Sequence, residues 1–191
     1  MSQKPVAAGK SSYDLIDSDK LMGILALDPG ATVLDLACGA GRYSTALAAA
    51  VGPQGKVYAV DLWQEGLSQL DDKATRAGLA QIETLLADIC TPLQLPDNAI
   101  EACLLATILH DLSSDEQGQV IREAARLLKQ DGTLTIVEFK KLDYGPGPRI
   151  TIRLDEAQID ALVTPYGFSK SATAELGKYT YLQHYTKKDP A

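Results

Sequence analysis

The stretch that decides the fold is VLDLACGAGRYS, residues 33–44. Its first residues are mostly apolar, which predicts a buried strand, and its last residues lead into an alanine-rich helical stretch. Gly39 and Gly41 stand at the junction, where residues without a side chain let the backbone approach a ligand and direct amide groups towards it. In an open sheet of parallel strands, ligands bind in such a crevice at the carboxyl ends of the strands. The stretch therefore predicts a strand, a ligand-binding turn and a helix.

Short apolar segments alternate with helix-period segments along the chain up to residue 140. Apolar runs without polar alternation fit a sheet that is covered on both faces, in which parallel strands are joined by helices. The Gly145–Pro148 loop breaks the alternation, and strand-like segments at 169–175 and 179–187 then predict a hairpin. We therefore expect an α/β three-layer sandwich with a mostly parallel seven-stranded sheet and a C-terminal antiparallel hairpin. The predicted parallel strands are Thr32–Ala37, Lys56–Val60, Ile82–Ala87, Ile100–Ala106 and Thr133–Phe139.

The helix after the fourth strand has the clearest start signal. Ser113 and Glu116 form a capping box, in which each side chain bonds the backbone amide of the other residue. We expect Gly132 to end this helix in the left-handed conformation. Its predicted buried stripe is Val120, Ile121, Ala124, Leu127 and Leu128. Further helices are predicted over 42–51, 64–77 and about 155–164.

Composition limits the class of protein. The chain has 191 residues, 46% of them hydrophobic, so we assign residues 1–191 to a single domain in which residues 1–12 are loosely held. A formal net charge of -7 argues against a nucleic-acid partner, and no apolar run approaches the roughly 20 residues that span a bilayer. The chain has three cysteines without a CxxC motif and no visible signal peptide. These features predict a cytoplasmic protein with reduced thiols.

Two acidic residues narrow the choice of ligand. Asp61 ends the second predicted strand, where a carboxylate can accept both hydroxyls of a ribose. Asp35 precedes the glycine turn, where a dinucleotide would place its pyrophosphate, and like charges in a desolvated site repel by several kcal/mol. Ser44 occupies the place of the third glycine of a dinucleotide-binding turn. We therefore expect a nucleoside cofactor that carries positive charge.

Four segments together show a family resemblance: 33–44, 57–63, 85–90 and 100–112. They resemble the class I, Rossmann-like methyltransferases that use S-adenosylmethionine, in particular the small type 11 domains similar to the ubiquinone-biosynthesis methyltransferases. The resemblance implies S-adenosylmethionine as cofactor and S-adenosylhomocysteine as product. Arg42 departs from the family pattern, which often has a glycine or a small residue there.

The resemblance also implies a set of cofactor-binding residues. Those implied are Asp35, Gly39 and Gly41 at the methionyl part, Asp61 at the ribose, Leu62 and Trp63 beside the adenine, Asp88 and Ile89 at the adenine amino group, and Ala106 at the end of the fourth strand. Purely structural roles are the alternatives for some of them. Asp35 would then cap the turn and Asp88 would start a loop, while Trp63 would belong to the core. The cysteines are expected to be small buried hydrophobes.

The acceptor side of the site is predicted from His110. This residue follows the fourth strand, opposite the glycine turn, and a histidine can accept a proton near neutral pH from an oxygen or thiol acceptor. We predict it as a catalytic residue or, alternatively, as one that only lines the pocket or packs under a lid. The segment 11–16, with Tyr13 touching substrate, is expected to form that lid. Glu138 and the Gly145–Pro148 loop are expected to line the far wall.

Three classes of function stay open. The leading one is a methyltransferase that acts on oxygen, sulfur or carbon of a small-molecule acceptor. An NAD(P)-dependent oxidoreductase is disfavoured by Asp35 and Ser44, and the third class is a non-catalytic nucleoside-binding domain. No Asn/Asp-Pro-Pro-aromatic signature follows the fourth strand, which disfavours acceptor nitrogens of amides or bases. Two histidines and three scattered cysteines give no metal-ligand spacing, and both a monomer and a homodimer fit the sequence.

Overall fold

The structure, a computed structural model, describes residues 8–188 of the chain. Its seven strands are β1 (Thr32–Leu36), β2 (Lys56–Asp61), β3 (Ile82–Leu86), β4 (Ile100–Ala106), β5 (Leu128–Phe139), β6 (Phe168–Glu175) and β7 (Thr180–Lys187). They form one sheet in the order β3-β2-β1-β4-β5-β7-β6. The pairs among β1 to β5 are parallel, and β7 pairs antiparallel with both β5 and β6. The predicted mostly parallel sheet with a C-terminal hairpin is confirmed.

Helices cover both faces of the sheet. The α-helices are α1 (Ser18–Leu25), α2 (Arg42–Val51), α3 (Gln64–Ala77), α4 (Ser114–Leu127) and α5 (Glu156–Val163). Successive residues of a strand point to opposite faces, so Val33 of β1 packs in the cluster that contains α1 and α2. Its neighbour Leu34 packs in the cluster that contains α4 and α5. The predicted three-layer sandwich follows from this arrangement.

The end of α4 differs from the sequence prediction. The capping box is present, and the Ser113 hydroxyl accepts the N–H of Glu116. The helix stops at Leu127, however, and Leu128 is extended and begins β5. The prediction that Gly132 ends the helix in the left-handed conformation is wrong, because Asp131 has the positive φ of 59°. Gly132 is needed for space instead, since a Cβ there would lie 2.8 Å from the Lys129 carbonyl oxygen.

The strand order reverses between β1 and β4. From β1 the chain builds outwards to β2 and β3, and it then returns to add β4 and β5 on the other side of β1. The connections after β1 and β4 therefore diverge, and a crevice opens between the carboxyl ends of these two strands. The candidate site lies at this edge of the sheet, which we call the carboxyl edge.

Candidate active site

The glycine turn after β1 is organised by Asp61. The carboxylate accepts the N–H of Gly39 and the N–H of Trp63, each at 2.7 Å. A side chain at Gly41 would overlap Leu70 of α3, whereas a Cβ at Gly39 would meet nothing within 4 Å. Gly41 is therefore required for packing against α3, and Gly39 leaves open space beside the Asp61 carboxylate.

Asp35 lies beneath the glycine turn. Its side chain is 1% exposed and accepts the hydroxyl of Ser44 at 2.5 Å. Burial raises the pKa of Asp35 to about 7, because a charge is poorly solvated there; the Ser44 hydrogen bond opposes this shift, and the nearby negative charge of Asp61 adds to it. Ser44, at the place of a third glycine, is thus the direct partner of Asp35.

The residues predicted beside the adenine differ in exposure. Leu62 is 50% exposed at the end of β2, whereas Trp63 is buried. A Cβ on Gly66 would overlap the Trp63 indole ring, so the first turn of α3 closes over one face of Trp63. Leu86, at the end of β3, is 57% exposed. Leu86 was not among the residues predicted from the sequence, although its place at the end of the strand beside β2 was a usable signal.

The loop after β3 contains two further predicted cofactor residues. Asp88 accepts the N–H of Cys90 at 2.9 Å through its side chain, and its carbonyl oxygen accepts the N–H of Thr91. These bonds close a local turn, as in the alternative role of a loop-starting aspartate. Ile89 is buried and packs in the same cluster as α4.

A cavity of about 150 Å³ lies against the glycine turn, and we call it the glycine-turn cavity. Residues from the carboxyl ends of β1, β2 and β4 contribute to its wall, and the segment 8–12 covers it. Its lining includes Gly39, Ala40, Tyr43, Asp61, Ala106 and Thr107. Of the predicted cofactor residues, the structure therefore brings Gly39, Asp61 and Ala106 together around one space.

A second cavity of about 440 Å³ lies beside the first, and we call it the His110 cavity. His110, Phe139 and residues 146–149 line it, together with Ile152. Lys10, Ser11, Ser12 and Thr107 line both cavities. The two spaces therefore meet at the N-terminal segment and at the residue that follows β4.

His110 is held by acidic residues. Its Nδ1 lies 2.7 Å from the Glu138 carboxylate, which also accepts the backbone N–H of His110 at 3.3 Å. Asp111 lies 3.7 Å from Nε2. Desolvation lowers the pKa of His110, but the hydrogen bond and charge of Glu138, with the charge of Asp111, outweigh it and raise the pKa above its ordinary value. Glu138 itself is fully buried, so it contacts the cavity through His110.

The N-terminal segment is fastened over the crevice. Ser12 is buried, and its hydroxyl oxygen lies 2.8 Å from the Tyr43 hydroxyl oxygen and 3.0 Å from that of Thr107. The Arg42 guanidinium pairs with Asp14. Arg42, the residue that departs from the family pattern, therefore helps to hold the N-terminal segment. Residues 1–7 of the stretch expected to be loose lie outside the described residues, whereas Ser12 is well held.

Tyr13, predicted to touch substrate, packs against α2 and is not among the residues that line the two cavities. Its ring packs edge-on against Tyr43 with centroids 5.1 Å apart, and the Arg42 guanidinium lies over it at 5.3 Å. Tyr13 is thus part of the fastening between the segment and α2.

Thr107 has a strained backbone. Its φ is 54°, in the left-handed region, although its side chain is β-branched. Such a conformation costs of order 1–3 kcal/mol and persists only where the surroundings impose it. Here the Thr107 N–H donates to the Val137 carbonyl at 2.8 Å, and the hydroxyl contacts Ser12. Sequence reasoning missed this residue because nothing in the sequence marks the position as left-handed.

Arg153 fixes the loop that forms the far wall. Its side chain is buried and donates to the carbonyl oxygens of Lys140, Pro146 and Pro148 at 2.8–3.0 Å. The guanidinium also lies 5.6 Å from the centre of the Phe139 ring. Arg153 was not predicted from the sequence, since an arginine after a loop is ordinarily exposed.

Comparisons with known proteins agree with this arrangement. Residues 33–132 match the family model described as a methyltransferase domain. A demethylmenaquinone methyltransferase from Listeria monocytogenes is 28% identical over 171 residues, which are 88% of this chain and 68% of the relative. The crystal structure of an S-adenosylmethionine-dependent methyltransferase from Aquifex aeolicus superimposes with a TM-score of 0.83 at 28% identity, covering 96% of this chain and 94% of that chain.

The fold and the site define a class I S-adenosylmethionine-dependent methyltransferase. The chain belongs to the methyltransferase domain family, as the resemblance predicted. The comparisons give no support to an oxidoreductase. The [4+2]-cyclase SpnF shares the fold, with a TM-score of 0.74 at 20% identity over 89% of this chain and 80% of that chain, so the fold by itself does not specify the reaction.

Within residues 8–188, every helix is too short or too polar to cross a bilayer. Over the same range, His, Cys, Asp and Glu side chains nowhere gather in a group of three that could hold a metal ion.

Proposed function

We propose that the chain binds S-adenosylmethionine in the glycine-turn cavity and transfers its methyl group to a small molecule in the His110 cavity. The observation that carries the proposal is the pair of adjoining cavities. One contains the glycine turn and Asp61, the other contains the His110–Glu138 pair, and they meet at Ser12 and Thr107.

The residues of the first cavity fit the cofactor. Gly39 leaves room for close approach, and Asp61 retains lone pairs that can accept the ribose hydroxyls. The exposed side chains of Leu62 and Leu86 offer an apolar edge for the adenine. Because the cavity is smaller than the roughly 300 Å³ of an ordinary ligand pocket, cofactor entry requires the segment 8–12 to shift outwards.

Asp35 acts on the cofactor through its charge. It lies under the turn and has a pKa raised to about 7 by burial, so a bound cation favours its ionised form. Binding of S-adenosylmethionine near pH 7 should therefore release protons from the protein. This charge also disfavours a pyrophosphate at the same turn.

The second cavity supplies the acceptor and its base. When bound, S-adenosylmethionine supplies a methyl group on a positively charged sulfur. Glu138 engages Nδ1 of His110, which leaves Nε2 to accept the acceptor's proton. The acceptor's lone pair forms the bond to the methyl carbon, and the electrons of the carbon–sulfur bond stay on sulfur. The protein's other contribution is to align the two reactants and exclude water.

The relatives support an acceptor of the quinone and quinol type. The Listeria relative is named for demethylmenaquinone, and an ionised quinol hydroxyl directs methylation to its oxygen or to a neighbouring carbon. Phe139, Ile152 and the proline-containing loop 146–149 give the His110 cavity apolar walls for such a molecule. The three cysteines are unpaired thiols, which supports a cytoplasmic location.

The test is methyl transfer to a panel of thiols, phenols and quinols, followed as formation of S-adenosylhomocysteine. We expect turnover with at least one acceptor and a loss of about 100-fold in His110→Gln, the scale of a removed general base. The matched control is His184→Gln, since His184 is equally buried but lies within β7. Equal rates in wild type and His110→Gln would remove the base, and cofactor binding without any turnover would favour a non-catalytic domain.

A further inference from the structure

We propose that the acceptor carries an anionic group, a carboxylate or a phosphate, which pairs with the Arg149 guanidinium at the wall of the His110 cavity. The inference rests on the proposed function, because it describes the acceptor of that reaction. It adds negative charge to the apolar character that the walls of the cavity already favour.

Arg149 lies where two cavities share a wall. It lines the His110 cavity and a neighbouring space of about 210 Å³, which we call the loop cavity. Arg149 is exposed and has no ion-pair partner within residues 8–188. Lys141, at the start of the same loop, pairs with Asp155 instead. The Arg149 guanidinium is therefore available to a ligand at this wall.

Arg153 adds a second positive charge to the loop cavity, whose wall it shares with Arg149. It is buried, and its hydrogen bonds go to three backbone carbonyl oxygens, with no carboxylate partner in the part of the chain that the structure describes. Carbonyl dipoles hold a guanidinium but leave its net charge in place, and water screens a buried charge weakly. Desolvation and the Arg153 charge both lower the pKa of His110, against the combined effects of Glu138 and Asp111. The positive potential therefore reaches the His110 cavity.

The acidic residues at the two cavities do not cancel these charges. Asp111 and Glu138 both face the His110 imidazole. The loop cavity is lined by two arginines and one exposed aspartate, Asp143. The chain as a whole has a net charge of -7, so a positive wall is a local exception that attracts anions to this opening.

The chemistry of this wall fits an aromatic acid. A guanidinium binds a carboxylate or a phosphate through two parallel hydrogen bonds, which fix orientation as well as position. Phe139 and Ile152 supply apolar surface in the same cavity. A ring against this surface, with its anionic group on Arg149, directs the atom to be methylated towards His110. Such orientation is the main contribution that a methyl transfer needs from the protein.

An arginine that only keeps the loop solvated is the competing explanation, because most surface charges have no ligand. A solvated side chain does not distinguish an acid from its neutral ester. A guanidinium that binds the ligand does, and a lysine in its place keeps part of the preference because it keeps the charge. Comparison of acid and ester therefore separates the explanations without any turnover.

The experiment is calorimetry on the protein loaded with S-adenosylhomocysteine. The probes are 4-hydroxybenzoate and 6-hydroxy-2-naphthoate, the methyl ester of each, and 4-hydroxyphenyl phosphate. We expect wild type to bind at least one of the acids about ten-fold more tightly than its ester. In Arg149→Ala this preference should fall to about two-fold or less, and Arg149→Lys should keep part of it. Tighter binding of the phosphate than of both carboxylates would identify phosphate as the anionic group.

The matched control is Arg76→Ala, which removes another exposed arginine, in the last turn of α3, and should keep the full preference. Esters that bind wild type as tightly as the acids would overturn the inference, as would a preference that survives in Arg149→Ala. Either result leaves the proposed function standing if S-adenosylhomocysteine binds. If wild type does not bind S-adenosylhomocysteine, the proposed function fails and the acceptor assignment with it.

Discussion

The two edges of the sheet have cavities of nearly equal volume. At the amino edge, a space of about 430 Å³ is lined by residues 25–31, 101–102 and 129–133, and the His110 cavity at the carboxyl edge measures about 440 Å³. Each edge also has non-glycine residues with positive φ, such as Ala26 at the amino edge and Thr107 at the carboxyl edge. Neither volume nor backbone strain separates the edges.

The charges do separate them. At the amino edge, Glu101 pairs with Lys129 and accepts the N–H of Thr32. At the carboxyl edge, Asp35 and Asp61 have no cationic side chain as an ion-pair partner within residues 8–188. Asp28 at the amino edge also has no ion pair within residues 8–188, but it is exposed, whereas Asp35 is buried and Asp61 is half-buried. Acids that the fold shields from water without a counter-ion are prepared for a positively charged ligand. Electrostatics, and not the size of a cavity, therefore identifies the site.

The largest expected effect is on stability, in Asp35→Asn. Burial raises the Asp35 pKa to about 7, from about 3.9 in an unfolded chain. The stability that this group contributes is complete below pH 4 and is lost as the pH rises to 7. Asp35→Asn should therefore be more stable than wild type by about 4 kcal/mol at pH 8, and equally stable near pH 4. Denaturant titrations across this range measure it.

The matched control lies at the amino edge. Desolvation raises the pKa of Glu101, but the Lys129 hydrogen bond and the Thr32 N–H outweigh it, so the pKa is lowered. The stability from this group is present above its unfolded pKa and is lost as the pH falls. Glu101→Gln should therefore destabilise the fold at neutral pH. The same sign in both variants would contradict the distinction between the edges.

The next effect concerns cofactor affinity, in Asp61→Ala. Loss of a charge-assisted hydrogen bond should weaken S-adenosylhomocysteine binding by about 1.5–3 kcal/mol, as measured by calorimetry. Glu101→Gln should bind as wild type does, because Glu101 lies at the opposite edge. An unchanged affinity in Asp61→Ala would remove this carboxylate from the site.

Much of the fold was predictable because its signals are local. The apolar runs gave the parallel strands, and Ser113 with Glu116 gave the start of α4. The end of α4 was not predictable, since Leu128 fits the helical stripe and becomes extended only through pairing with Ile100 of β4.

The site was predicted in part, for a similar reason. Gly39 and Asp61 follow from a short pattern at the ends of two strands. The contact between Ser12 and Thr107 joins residues that are far apart in the sequence. The hydrogen bonds from Arg153 to the carbonyl oxygens of the far-wall loop depend on how that loop closes. Such contacts exist only after the fold has formed, so the sequence offers no local signal for them.

The third prediction compares the two histidines, which are similarly buried. Glu138 helps to raise the pKa of His110, whereas burial lowers the pKa of His184, which bonds the Thr135 hydroxyl. Glu138→Gln should lower the pKa of His110 and leave that of His184 unchanged. Proton NMR titration of the two imidazoles measures both groups in one sample. Equal shifts in the two residues would indicate a global rearrangement.

The smallest effect is expected from the segment that covers the crevice. Arg42→Ala removes the exposed pair with Asp14, so the segment should open more often. We expect S-adenosylhomocysteine to bind faster by less than about five-fold, as measured by stopped-flow fluorescence of Trp63. Lys129→Ala, which removes an exposed pair at the amino edge, should leave the rate unchanged. A slower rate in Arg42→Ala would mean that the segment guides the ligand in.

The most direct measurement is calorimetry of the wild-type protein with S-adenosylmethionine and with NADH. The two unpaired carboxylates at the carboxyl edge predict micromolar affinity for the first ligand, with proton release near pH 7, and no binding of the second. Binding of NADH with its pyrophosphate beside Asp35, or no binding of S-adenosylmethionine, would contradict the account.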